Sequence, residues 1–310
     1  MSMMSAIQPN PKVIGASLLV GTVVMYVLYS TWSTSKEHLD ELEAHFQLGH
    51  DHHEHEHHEH GHHEHGAEGK SIKSWKTASF EDIPAAVSEK MGAVKVTEHR
   101  TAVDFNGKTL EIFSRQTEVT GKDKKFTVLL LHGMKFSSSN WNDIKTIHLV
   151  AAMGYRVVAI DLPGFGNSKE AKISEKDKAK FLEKFIEKEG LGTPLIVSPS
   201  MSGSFALPYL LENDPEACQK KASAYIPIAP AKSDEYSDAD YKQCQIPVMI
   251  VYGEDDTSLG VSSLKNLKQF DNSEVFVIKN AGHACYLDDQ KEWSRLLYNF
   301  VNAVDRYMKS

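Results

Sequence analysis

Cysteine is scarce. Cys218, Cys244 and Cys285 are the three in 310 residues; they have no metal-ligand spacing and form no disulfide framework, and an odd number leaves at least one without a partner in the chain. There is no N-x-[ST] sequon either, so one sign of a secreted body is missing. Positive charge is also short, with 34 Lys and Arg against 42 Asp and Glu. The deficit is local. Residues 1–70 hold only Lys12, Lys36 and Lys70 against ten acidic side chains, and the rest is nearly balanced. A neutral body with an acidic leader lacks the clustered positive charge that DNA or RNA binding requires, so nucleic acid is excluded as a partner. With 41% hydrophobic and 25% charged residues, the chain is neither wholly disordered nor fibrous.

Charge is absent altogether from residues 13–35, where VIGASLLVGTVVMYVLYSTW supplies about 20 mostly apolar residues, enough for one transmembrane helix. A secretory signal peptide is the competing reading, but the apolar run exceeds that of such a segment. The organisation read from sequence is therefore a short tail at 1–12, a transmembrane signal anchor at 13–35, an acidic, His-rich disordered tether at 36–91, and a folded domain at 92–310. Lys12 and the α-amine precede the span and acidic residues follow Lys36, so the expectation is a type II, single-pass protein with a lumenal or extracellular body. Residues 50–66, HDHHEHEHHEHGHHEHG, hold ten of the sixteen histidines. Such a tract cannot bury a core. It reads first as a solvated tether and second as a weak, multivalent metal binder; the body itself offers no metal site.

Beyond residue 92, short Val- and Ile-rich runs alternate with stretches of helical length, the pattern of a mostly parallel sheet with helices on both faces. A hairpin is predicted over residues 94–104 and 108–116, turning at Asn106-Gly107. Strands follow at 126–131, 156–160, 194–198, 224–229, 247–253 and 274–278, with helices near 142–153, 175–189, 201–212, 261–270 and 289–307. Eight strands result.

Ligands of open α/β sheets bind beyond the carboxyl ends of the strands. The strand at 194–198 runs into Ser198-Pro199-Ser200-Met201-Ser202-Gly203, a small-x-Ser-x-small elbow that lifts the Ser200 hydroxyl clear of the backbone, with Ser198 and Ser202 structural. Isolated S-x-S-x-S strings are common and mean little alone. The strand at 247–253 ends in Gly253-Glu254-Asp255-Asp256, and the last strand is followed by Asn280-Ala281-Gly282-His283. A lone GEDD is usually an exposed turn and a lone loop histidine is usually solvated. Joined in the order Ser, Asp, His at three strand ends, they make a nucleophile, an orienting acid and a base. Leu131-His132-Gly133-Met134 follows the 126–131 strand, where the backbone N–H groups of Met134 and Met201 can converge on an oxyanion. Asp161, in Asp161-Leu162-Pro163-Gly164-Phe165-Gly166-Asn167-Ser168, reads as part of a structural turn.

The strings LLLHGMKFSS, AIDLPGFGNS, SPSMSG, IVYGEDD and NAGHACYLD, over residues 94–307, resemble the α/β-hydrolase superfamily, and within it the membrane-anchored branch of the abhydrolase domain-containing protein 14 family. The resemblance implies an α/β-hydrolase fold with Ser200 as nucleophile, His283 as base and Asp256 as acid, and an oxyanion site at Met134 and Met201; Glu254-Asp255-Asp256 offers three candidates for the acid, of which the motif position favours Asp256 and leaves Asp255 open. It implies hydrolysis or transfer of a small, acetyl-type acyl group from esters or acylated lysine, with no required cofactor and coenzyme A as an acyl acceptor. Many relatives carry a lid after the sixth strand, but only 17 residues separate Ala229 from Pro247. No lid domain fits there. The site should be shallow and suited to short acyl groups. Two other readings stand beside this one: a catalytically silent binding module on the same fold, and a metal-handling protein that works through residues 50–66.

Overall fold

The computed structural model describes residues 75–118, 125–212, 214 and 217–309. The described residues all lie in one compact unit, within residues 70–310. An eight-stranded sheet runs in the order β1-β2-β4-β3-β5-β6-β7-β8. Its strands are β1 (Thr97–Phe105), β2 (Lys108–Gln116), β3 (Val128–Leu130), β4 (Val157–Ile160), β5 (Leu195–Pro199), β6 (Ala224–Ile228), β7 (Val248–Gly253) and β8 (Ser273–Ile278). β1 and β2 form the expected hairpin, with Asn106 and Gly107 both at positive φ (48° and 76°), the backbone that a two-residue primed turn demands. β2 meets β4 antiparallel and every later pairing is parallel.

The central strands are largely apolar because both their faces are covered. Leu129, Leu131 and Ile196 pack into one core with Phe181, Phe185 and Phe205. Their neighbours Val128, Leu130, Leu195 and Val197 point the other way, into a second core with Trp141, Trp293 and Phe300. Helices α1 (Ala85–Met91), α2 (Ser138–Asp143), α3 (Thr146–Ala152), α4 (Lys178–Glu189), α5 (Gly203–Leu211), α6 (Cys218–Lys221), α7 (Asp238–Gln243), α8 (Leu259–Leu267), α9 (Cys285–Asp288) and α10 (Gln290–Lys309) surround the sheet.

Three expectations change. The single helix foreseen near 142–153 is two, because Lys145 turns left-handed (φ 63°) between α2 and α3. The body begins before residue 92. Trp75 is buried against Phe300, its ring centroid 5.0 Å away, and donates through Nε1 to Asn272 Oδ1 at 2.8 Å. Phe80 stacks on Phe276 at 4.7 Å, and Asn299 clasps the Glu81 backbone at both N–H and C=O. Two large aromatic side chains give this segment apolar surface to bury, which the neighbouring histidine tract lacks. The third change concerns the membrane. Among the described residues no helix is long and apolar enough to cross one, and residues 13–35, on which the single-pass, lumenal placement rested, lie outside them. That placement is withdrawn. The histidine tract at 50–66 also lies outside the described residues.

The connection between β6 and β7 carries no lid, as expected. It folds down onto the body as α7, whose Tyr241 is buried and donates its hydroxyl to the Ser233 carbonyl at 2.6 Å. A disulfide joins Cys244, at the end of α7, to Cys218, and Cys285 is free and buried.

Candidate active site

The turn after β5 is built to hold a strained residue. Ser200 has φ 51°, a left-handed conformation that costs a non-glycine residue about 1–3 kcal/mol and persists only where its surroundings enforce it. Three hydrogen bonds do so. The Ala231 N–H donates to the Ser200 carbonyl at 2.9 Å. Ser202 Oγ donates to the Pro199 carbonyl at 2.8 Å, and Ser198 Oγ shares a 2.7 Å hydrogen bond with the buried Tyr225 hydroxyl. Ser198 and Ser202 are thus inward and structural, while Ser200 stays half-buried at the rim. The closest approach is one residue later than the small-residue pattern suggests. A Cβ on Gly203 would sit 2.5 Å from the Ala231 carbonyl oxygen and 2.6 Å from Pro230 Cβ, so only glycine lets α5 start here.

His283 and Asp256 arrive from two neighbouring strand ends. Nδ1 of His283 lies 2.6 Å from Asp256 Oδ2, and Nε2 lies 2.8 Å from Ser200 Oγ. An ionised carboxylate only accepts, so Nδ1 carries the proton and Nε2 is free to accept from the serine hydroxyl. Burial alone would raise the Asp256 pKa, but hydrogen bonds from His283, the Gly260 backbone and Ser258 outweigh it and hold the carboxyl below its ordinary 3.8. The hydrogen bond to Asp256 lifts His283 above its ordinary 6.5, against partial desolvation. The two other acids of the GEDD run do different work. Glu254 accepts the Asn280 N–H at 3.0 Å and so braces the histidine loop, while Asp255 is exposed and gives that loop only its backbone N–H, to the Ala281 carbonyl. Asp288 accepts the Gly282 N–H at 2.8 Å from the loop's far side.

On the loop after β3, His132 is almost completely buried. Its Nδ1–H donates to the Gly133 carbonyl at 2.8 Å, and its Nε2 accepts the Leu162 N–H at 2.9 Å. That use of both nitrogens requires the neutral ring, and burial lowers the pKa accordingly. The Phe136 N–H donates to the same Gly133 carbonyl at 3.0 Å. In a trans peptide the C=O and the next N–H point in opposite directions, so pinning the Gly133 oxygen fixes where the Met134 N–H points. No backbone acceptor takes that N–H among the described residues. Met134 is 61% exposed, so what the pinned Gly133 carbonyl orients at this position is the backbone N–H and not the side chain. Asp161 is structural: fully buried, it accepts the N–H groups of Ser138 at 2.7 Å and Asn167 at 2.8 Å.

Comparison with known proteins bears on the fold and the family. A family model for the alpha/beta hydrolase fold matches residues 127–232. A rat protein named "Putative protein-lysine deacylase ABHD14B" is 41% identical over 206 residues, covering 65% of this chain and 95% of its own. "Protein ABHD14A" of Danio rerio is 38% identical over 183 residues, 58% of this chain and 66% of its own. This chain belongs to the ABHD14 family of α/β hydrolases. It is an enzyme of the serine hydrolase class. The "predicted CIB-like hydrolase" of Thermoplasma acidophilum superposes with a TM-score of 0.58 over 67% of this chain and 98% of its own, at 22% identity, which speaks for the fold alone.

Within this ABHD14-family site, the chain brings Ser200, His283 and Asp256 into one hydrogen-bonded line and leaves Asp255 outside it. The supporting residues His132, Glu254, Asp288 and Tyr225 were not foreseen as such. Three of them stand inside the motif strings, but a string does not say which atom a side chain holds.

Proposed function

We propose that this ABHD14-family chain removes small acyl groups, acetyl foremost, from esters or from acylated lysine through a Ser200-His283-Asp256 triad. The supporting observation is the unbroken line from Asp256 Oδ2 through the imidazole to Ser200 Oγ, with steps of 2.6 and 2.8 Å. In this reading His283 Nε2 takes the hydroxyl proton as Oγ attacks the acyl carbonyl, and Asp256 holds the tautomer and stabilises the imidazolium. The backbone N–H groups of Met134 and Met201 meet the developing oxyanion, each worth about 3–4 kcal/mol in well-studied cases. His283 then returns the proton to the leaving alcohol or amine. The acyl-serine passes its acyl group to water, giving an acid, or to a thiol such as coenzyme A, giving a thioester. The deacylase name of the rat relative supports the substrate class.

The test is turnover of p-nitrophenyl acetate and of an acetyl-lysine peptide by the full chain, with and without coenzyme A, beside fluorophosphonate labelling. Ser200→Ala is expected to abolish all of these. Turnover unchanged by Ser200→Ala would count against Ser200 as the nucleophile, and the absence of any turnover or labelling in the wild type would count in favour of a silent module.

A further inference from the structure

Phe136 stands beside the serine in a way the motif does not announce. A Cβ built on Gly133 would lie 3.7 Å from Ser200 Cβ and 3.2 and 3.8 Å from Cδ2 and Cε2 of Phe136. The ring edge is therefore within about 7 Å of the serine Cβ. The ring is half-buried, so part of it faces open space at the rim.

This ring has little room to yield. Its own N–H closes a turn onto the Gly133 carbonyl, the carbonyl that His132 also holds. Behind it the buried Tyr286 packs edge-on at 6.3 Å, and Tyr286 stacks on Trp141 at 4.6 Å. Trp141 packs against Trp293 at 5.8 Å. Both indoles are tied down, Trp141 Nε1 to the Leu131 carbonyl at 2.8 Å and Trp293 Nε1 to Thr146 Oγ1 at 3.0 Å. Close-packed interiors transmit such constraint rather than absorb it.

We propose that Phe136 is the specificity-determining wall of the acyl site: it leaves room for an acetyl or propionyl group on Ser200 and turns away longer chains. The assignment rests on the reading that Ser200 carries the acyl group. It deepens that reading by placing the limit on acyl length in one side chain rather than in the general shallowness of the site.

The experiment compares p-nitrophenyl acetate, butyrate and hexanoate, which share one leaving group, on the full-length wild type, Phe136→Ala and Phe136→Leu. Fluorophosphonate labelling counts the competent sites. Phe136→Ala is expected to raise the hexanoate-to-acetate ratio of kcat/KM by at least about tenfold, the low end of what a methylene is worth in an apolar pocket. Phe136→Leu should shift it in the same direction by less, and serves alone if the alanine variant fails to fold. A ratio that stays at the wild-type value in a variant with full labelling overturns the proposal, as does an equal fall for all three esters. Ser200→Ala, run in parallel, separates the failures. Turnover that depends on Ser200 while the ratio stays unchanged overturns only the role of Phe136; turnover that survives Ser200→Ala overturns both.

Discussion

Two histidine–aspartate sets sit on the same rim of the sheet. His132 and Asp161 follow β3 and β4, whereas His283 and Asp256 follow β8 and β7. All four residues stand at strand ends, and both aspartates are buried. The difference lies in what occupies their lone pairs. Asp161 spends both oxygens on backbone N–H groups, and His132 spends both nitrogens on backbone partners. Both side chains are buried and turned to the backbone, away from a substrate. Asp256 instead gives one oxygen to His283, whose other nitrogen meets Ser200. Burial dominates the first histidine and lowers its pKa, while the carboxylate dominates the second and raises it. Residue type and strand-end position are thus shared, and partner chemistry separates the scaffold set from the proposed reaction centre.

Substitution at each set tests that division, beginning with the serine that only the second set touches. Ser200→Ala should cost at least about 10⁴ in kcat, since loss of the nucleophile disables the unit as a whole; single-turnover assays on folded protein would check it. Asp256→Asn should cost about 10⁴ in kcat through the wrong tautomer, while the exposed Asp255→Asn stays near wild type. Equal effects from the two would erase the distinction drawn here. His132→Ala should lower kcat by about 10²-fold, the low end of the cost of a lost oxyanion donor, with KM little changed. Asp161→Asn should leave labelling intact yet destabilise the fold by about 1–3 kcal/mol, because one backbone N–H loses its acceptor; denaturant titration would measure it.

Titration sharpens the contrast further. His283 must be neutral to accept a proton, so activity should fall about tenfold per unit as pH drops below its folded pKa, which lies above 6.5. Its contribution to stability runs the other way, being full below 6.5 and lost as pH rises through that folded pKa. His132, with a lowered pKa, contributes stability above 6.5 that is lost as pH falls toward its folded value. His283→Gln should therefore remove the activity titration and the alkaline loss of stability while leaving the acid-side loss from His132.

The sequence makes the sheet legible because its strands are local, apolar and punctuated. Asn106-Gly107 specifies its own turn, and Val128, Val157 and Leu195 begin runs that only a doubly covered sheet can bury. The positions of the proposed triad are legible for a related reason: each stands in the loop or turn at the carboxyl end of a strand. What escapes is nonlocal. Trp75 finds Asn272 across 197 positions, and nothing near Trp75 in sequence announces that partner. Lys145 breaks a helix pattern that periodicity alone would continue. His132 stands in a readable motif, yet its two backbone partners follow from how the β3 and β4 loops meet. Glu254 and Asp288 reveal their roles only once the histidine loop is closed between them.

The hydrogen bond from Ala231 to the Ser200 carbonyl bears on how this scaffold could be remodelled. Ala231 stands near the start of the short connection after β6, the place where other members of the fold carry added structure, and here it braces the Ser200 turn. Pro230 and Ala231 also press on Gly203. A cap grafted at that junction would have to preserve the chain through Ala231 unaltered and enter later, near the exposed stretch before Ser237. Insertion before Ala231 would remove a hydrogen bond that holds Ser200 in its left-handed conformation, and a graft meant to reshape substrate choice would instead disturb the serine turn.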